Sequence, residues 1–178
     1  MTTHGGGRAL GRKMTVAIAL AAMASQWAMA QEPLPLSDFA RSMSQSDQYE
    51  IQAAYVVLVQ NQNPKVRDFA RQMITDHGQE RDSLQKAISA AHGIPLPPSM
   101  TSEQSMMLAA LQSLRGAELD RVYIRQQIMA HHQALAVFRS YATAGTDENL
   151  RQLAQSGEAA TKRHLEMAEQ VRVALAGS

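Results

Sequence analysis

Residues 63–93 read NPKVRDFARQMITDHGQERDSLQKAISAAHG, and this stretch decides the fold class. Asn63 supplies a side-chain oxygen for an N-cap, and Pro64 takes the first helical position, where a missing N–H costs nothing. At about 100° per residue, Val66, Ala70, Met73, Leu84, Ile88 and Ala91 fall on one face. His77 stands in the middle of that stripe, so this helix turns one titratable, metal-capable group toward the core. His92 lies at its C-terminal end, where the helix dipole favours a cation. Gly93 then suits the left-handed position after a helix, and Ile94-Pro95-Leu96-Pro97-Pro98 forbids continuation.

The same pattern recurs on both sides. A helix from about Ser37 to Gln60 carries Leu36, Phe39, Met43, Ala53, Ala54 and Val57 around Glu50. A helix from Gly116 to Gly145 carries Ile124, Ile128, Leu135, Phe138 and Ala142 around His131. The last, capped by Thr146 or Asp147 and continuing to about Ala176, carries Leu150, Leu153, Gly157, Ala160, Met167, Val171 and Leu175 around His164. Thr101 with Gln104 reads as a capping box for a short helix ending near Arg115. No run alternates as a strand would, so the expected class is all-α: a four-helix bundle with a short extra helix between its second and third members. A connection over 93–115 that crosses along the bundle places Glu50, His77, His131 and His164 within roughly 6 Å in depth, against roughly 10 Å for a same-end loop. The crossover, ferritin-like topology is therefore expected.

The first thirty residues have a different character. Arg8, Arg12 and Lys13 precede an apolar run from Met14 to Ala24, too short to span a bilayer, and Ala28-Met29-Ala30 has small residues at the A-x-A positions. This predicts a secretory signal over 1–30, cleaved before Gln31, and a single domain over 31–178 in the periplasm, secreted, or associated with the outer membrane. The whole chain carries a net charge of +1, and removing the leader leaves 14 basic against 16 acidic residues. No basic patch survives, which argues against nucleic acid as a partner. The signs alternate along Lys65, Arg67, Asp68, Arg71, Asp76, Glu80, Arg81 and Asp82, the pattern expected of a solvated face. There is no cysteine, so neither a disulfide framework nor lipid attachment at the cleavage site is available.

Several segments resemble the ferritin-like domain-of-unknown-function family 4142, whose members are often described as exported or outer-membrane proteins. The resemblance rests on Glu50-Ile51, on Val66-Arg67-Asp68-Phe69-Ala70 with Met73-Ile74-Thr75-Asp76-His77, and on Leu96-Pro97. It continues through Leu114-Arg115-Gly116-Ala117-Glu118-Leu119-Asp120-Arg121-Val122-Tyr123, then His131 and His164-Leu165. It implies the ferritin-like fold and export. The chain departs from the family in its third long helix, where Gln127-Ile128-Met129-Ala130-His131 lacks the family's aspartate before the histidine. It also lacks the Glu-x-x-His pairs of dinuclear iron proteins, since Ile74, Ile128 and Thr161 stand three residues before the core histidines.

Glu50, His77, His131 and His164, one from each long helix, are the candidate site. Three imidazoles and a carboxylate suit zinc, copper, manganese or iron. The alternative is a buried polar network in which the histidines hydrogen-bond across the core and fix helix register, in a non-catalytic envelope interaction or stress module. An envelope protein or a second copy of the chain would then be its partner. Arg81 and Asp120 read as an inter-helix ion pair, His132 as a boundary residue, and Met100, Met106 and Met107 as gap fillers. Tyr123 reads as a donor into the core. No Ser-His-Asp order, phosphate-binding glycine loop or Cys-x-x-Cys-His is present, so hydrolase, nucleotide and c-type haem chemistries lack support.

Overall fold

The computed structural model describes residues 1–2, 34–91 and 93–177. The apolar run and cleavage site of the expected leader, and His92, lie outside them. The described chain forms α1 (Leu36–Gln60), α2 (Pro64–Ala91), α3 (Ser102–Ser113), α4 (Gly116–Ala144) and α5 (Glu148–Ala176), with no strand among the described residues. None of these helices is long and apolar enough to cross a membrane.

The helix ends follow the caps expected from sequence. Asn63 Oδ1 accepts from Lys65 N at 3.1 Å at the head of α2, Thr101 and Gln104 close a reciprocal capping box on α3, and Asp147 accepts from Leu150 N at 2.9 Å on α5. Gly93 and Gly116 both adopt positive φ, 57° and 58°, which a residue with a Cβ disfavours. At the end of α1, Arg67 donates to the carbonyls of Leu58 and Asn61 at 2.6 and 2.8 Å, satisfying groups the helix leaves open.

Contacts at both ends of the bundle fix the topology. Asn61, just past α1, and Asn63 both donate to Asp120 in the first turns of α4, while Phe39 near the start of α1 stacks on Tyr141 near the end of α4, ring centroids 4.2 Å apart. α1 and α4 are therefore antiparallel, and α4 starts at the end of the bundle opposite to that where α2 finishes. The 93–115 segment crosses the length of the bundle along α1, held by Gln48 donating to Pro97 O at 3.0 Å and Gln60 to Gln112 O at 3.4 Å. The Asp120 contacts also correct an expectation: Asp120 satisfies two asparagine amides of the α1–α2 loop, and forms no ion pair with Arg81, which is exposed.

The core divides into two apolar clusters. One, built on Val57, Val66, Phe69, Met73 and Tyr123, lies toward the α1–α2 loop, with Met100 and Met107 packed against it. The other, built on Phe39, Met43, Leu84, Phe138 and Leu150, lies at the far end. Met106 is exposed rather than filling a gap. On α5 the deeply buried positions are Leu150, Ala154, Gly157, Thr161, His164 and Ala168. That spacing alternates four and three, the seam of closely packed helices. Leu153, Ala160 and Met167 are only half-buried, as are Ile128 and Ala142 on α4, so the true faces are rotated slightly from the sequence stripes toward smaller residues. At Gly157 an added Cβ would fall 2.3 Å from the Phe138 ring, which shows how closely α4 and α5 approach.

Candidate functional site

Between the two apolar clusters runs a polar layer to which all four long helices contribute. Asp47 and Glu50 come from α1, His77 from α2, His131 and Gln127 from α4, and Thr161 and His164 from α5, and all of them are buried. The helical pitch explains the placement, because each sits on its helix's apolar stripe where Leu or Phe would otherwise stand. All four residues expected from sequence are therefore inside the bundle at one level.

The three imidazoles converge. Their ring centroids are 5.5 Å (His77–His131), 5.4 Å (His77–His164) and 5.1 Å (His131–His164) apart, and one nitrogen from each can lie within 4.8 Å of the others. The outward nitrogen of each ring is already engaged. His131 Nδ1 donates to the carbonyl of Gln127 at 2.8 Å. His164 Nε2 donates to Asp76 Oδ2 at 2.8 Å, and His77 Nδ1 shares a proton with Asp47 Oδ1 across 2.9 Å.

Those partners set the tautomers. A carbonyl oxygen only accepts, so the proton of His131 is on Nδ1 and its Nε2 presents a lone pair inward. Burial alone would raise Asp76, but hydrogen bonds from Gln72 and His164 outweigh it and hold the carboxyl below its usual range, ionised at neutral pH. His164 therefore keeps its proton on Nε2 and turns the lone pair of Nδ1 inward. Burial, aided by the neighbouring histidines, pushes His131 down to about 3, and burial likewise lowers His164. Both rings are neutral at pH 7, so the 3.2 Å between His131 Nε2 and His164 Nδ1 separates two facing lone pairs with no proton between them. His77 Nε2, also buried, has no hydrogen-bond partner. Facing lone pairs in a low-dielectric core repel unless a cation lies between them.

Glu50 stands on the other side of His131, its Oε1 3.9 Å from Nδ1 and away from the point of convergence. Burial raises its carboxyl to about 7, against the pull of His77 and the Gln127 amide. Asp47, Asp76, Glu80 and Gln127 are members of the layer that sequence reasoning missed. Asp76 and Glu80, read there as part of a solvated face, are instead only partly exposed and turned toward the histidines. Burial and the nearby Asp47 raise Glu80 to about 8, and burial raises Asp47 well above its ordinary value despite Arg81. The spacing of Asp47 three residues before Glu50 was the available signal, since i and i+3 share a helix face. His132, next to His131, is exposed. Tyr123 OH reaches the core but finds no hydrogen-bond partner there.

A family model described as Domain of unknown function (DUF4142) matches residues 19–171. The chain belongs to the DUF4142 family. Among the DUF4142 landmarks, the Asp76-His77 pair of α2 takes on a physical role here, because the aspartate of one helix orients the histidine of another. The α4 counterpart of Asp76 is Ala130, and His131 draws on a backbone carbonyl instead. No curated protein matches this DUF4142 chain. CopM in its Cu(II)-bound form is similar in structure, with a TM-score of 0.66 at 22% identity, covering 76% of this chain and 94% of that one. Its Cu(I)-bound form gives 0.64 at 20%, covering 75% and 92%. A DUF305 fragment from Deinococcus radiodurans gives 0.68 at 19%, covering 76% and 93%. At these identities the likeness establishes a shared helical fold.

Proposed function

We propose that this protein is an exported metal-binding bundle whose His77 Nε2, His131 Nε2 and His164 Nδ1 coordinate one transition-metal cation. The observation that carries the reading is the orientation of the rings: every outward nitrogen lies against a carboxyl or a carbonyl, and the inward nitrogens of all three face one point. Metal-ligating histidines are oriented in this way by partners behind them, which fix the tautomer and raise basicity. Glu50, 3.9 Å behind His131 Nδ1, adds a polar group to the layer, while the acceptor that fixes the His131 tautomer is the Gln127 carbonyl. Three neutral nitrogens with an open fourth position suit zinc or copper(II) better than harder cations, and CopM, of similar fold, is a copper-bound protein in its solved structure. The role is capture of a cation in the envelope, with no reaction required of it.

Equilibrium dialysis of tag-free protein against zinc and copper(II) tests the reading. The wild type retains a stoichiometric ion, and His131→Ala loses at least a hundredfold in affinity, while His132→Ala, one residue away but exposed, changes nothing. Equal retention by all three proteins, or by none, would overturn it. Export is tested by the mass of the native protein, which should begin at Gln31; an intact leader in a cytoplasmic fraction would remove that part of the proposal.

A further inference from the structure

His77 has a second face. Its Nδ1 lies 2.9 Å from Asp47 Oδ1 and 3.8 Å from Glu80 Oε2, and these three residues also offer ligand atoms within 4.8 Å of one another. Asp47 is 1% exposed, and Asp47 Oδ2 and Glu80 Oε1 are buried with no hydrogen-bond partner. Neither carboxyl lies within ion-pair distance of a lysine or arginine among the described residues, and the exposed Arg81 acts on Asp47 only from farther off, too weakly to offset its burial. Buried carboxylate oxygens without partners are costly, and either protons or a cation must offset them. A way in exists: Glu80 and Asp76 line an open groove of about 270 Å³ between α2 and α5, whose polar rim includes Gln79, Ser83, Ser156 and the exposed Arg163. Glu80 thus faces solvent on one side and His77 on the other.

We propose that Asp47, Glu80 and His77 Nδ1 hold a second divalent cation, and that His77 bridges it as an imidazolate to the cation in the histidine pocket. The inference rests on the three-histidine reading above, because the bridge needs an ion on Nε2. The chemistry balances without a redox step. A cation on Nε2 acidifies the remaining ring proton; the second cation displaces it from Nδ1, together with the protons that the buried Asp47 and Glu80 carboxyls hold in the metal-free protein, and all of them leave to solvent through the α2–α5 groove. The imidazolate then donates one lone pair to each metal. Two divalent charges are met by Asp47, Glu80 and the imidazolate, with Asp76 behind His164 completing the balance.

Copper(II) is the probe, because its unpaired electron reports the bridge: two copper(II) ions joined through an imidazolate couple antiferromagnetically. The purified full chain is titrated with copper(II), with metal analysis after gel filtration and electron paramagnetic resonance at each step. The wild type should hold two coppers per chain, its signal rising to the first equivalent and falling as the second binds. Asp47→Asn and Glu80→Gln, both close to isosteric and the latter at the groove rim, should each hold one copper with a full, uncoupled signal, circular dichroism confirming unchanged helix content. A folded wild type that holds one copper, lost in His131→Ala, overturns the bridge and leaves the histidine pocket standing. Two coppers whose signals simply add also overturn the bridge. No bound copper at all overturns both.

Discussion

Glu50→Gln in the metal-free protein gives a pH-dependent test of the polar layer. The carboxyl of Glu50, 1% exposed, is raised by burial from 4.5 to about 7. A carboxyl raised in the folded state binds its proton more tightly there than in the unfolded chain. Its stabilising contribution is full below the unfolded value and is lost as pH rises through about 7. At about 1.4 kcal/mol per pH unit, the linkage relation gives a loss of about 2 kcal/mol between pH 5 and pH 7. His131, lowered to about 3, acts in the opposite sense: the unfolded chain takes up a proton below about 6.5 that the folded ring refuses, so this term adds about 2 kcal/mol of stability over the same interval. The two oppose each other, and Glu80, raised to about 8, adds a loss of its own, so the wild-type profile does not report any one of these groups singly. The amide of Gln cannot ionise, so the difference between wild type and Glu50→Gln isolates the first term. Urea denaturation in chelator at pH 5, 6 and 7 should show the wild type losing about 2 kcal/mol relative to the variant. A difference independent of pH would refute the claim that burial holds this carboxyl protonated.

Asp76→Ala removes the acceptor behind His164 and frees its tautomer, and should weaken zinc binding about 10- to 100-fold with unchanged helix content; undiminished affinity in competition with a chelating dye would deny Asp76 that role. Gly157→Ala gains about 1 kcal/mol of helix propensity but drives a methyl into the Phe138 ring, 2.3 Å away without relaxation. Overpacking of about 1–3 kcal/mol outweighs the gain, so the variant should melt several degrees lower; a raised Tm would show that α4 and α5 have room to separate.

The helices were legible because their signals are local. Asn63-Pro64, Thr101 with Gln104, and Asp147 act within one turn, and each caps the helix that its sequence predicted. The convergence of Glu50, His77, His131 and His164 into one layer was legible for a related reason: one polar residue interrupts each apolar stripe, and the crossover brings the interruptions level. What the periodicity of a helix cannot give is the identity of the groups it meets. Asp76 lies 88 residues from His164, and its adjacency to charged neighbours made it look solvated. Asp120 was assigned the wrong partner for the same cause, since the donors to its carboxylate, Asn61 and Asn63, come from a loop that no face of α4 records. The exact faces of α4 and α5 also escaped, because small residues such as Ala154, Thr161 and Ala168 permit the close approach that larger apolar neighbours on the stripe do not.

The central claim is that three inward imidazole lone pairs share one cation. Zinc K-edge absorption spectroscopy of protein loaded with one equivalent of zinc tests it most directly. The account predicts a first shell containing three imidazole nitrogens at about 2.0–2.1 Å, with the outer-shell scattering of the rings, and loss of that pattern in His131→Ala. A shell of oxygens alone, or a spectrum unchanged by His131→Ala, would contradict it.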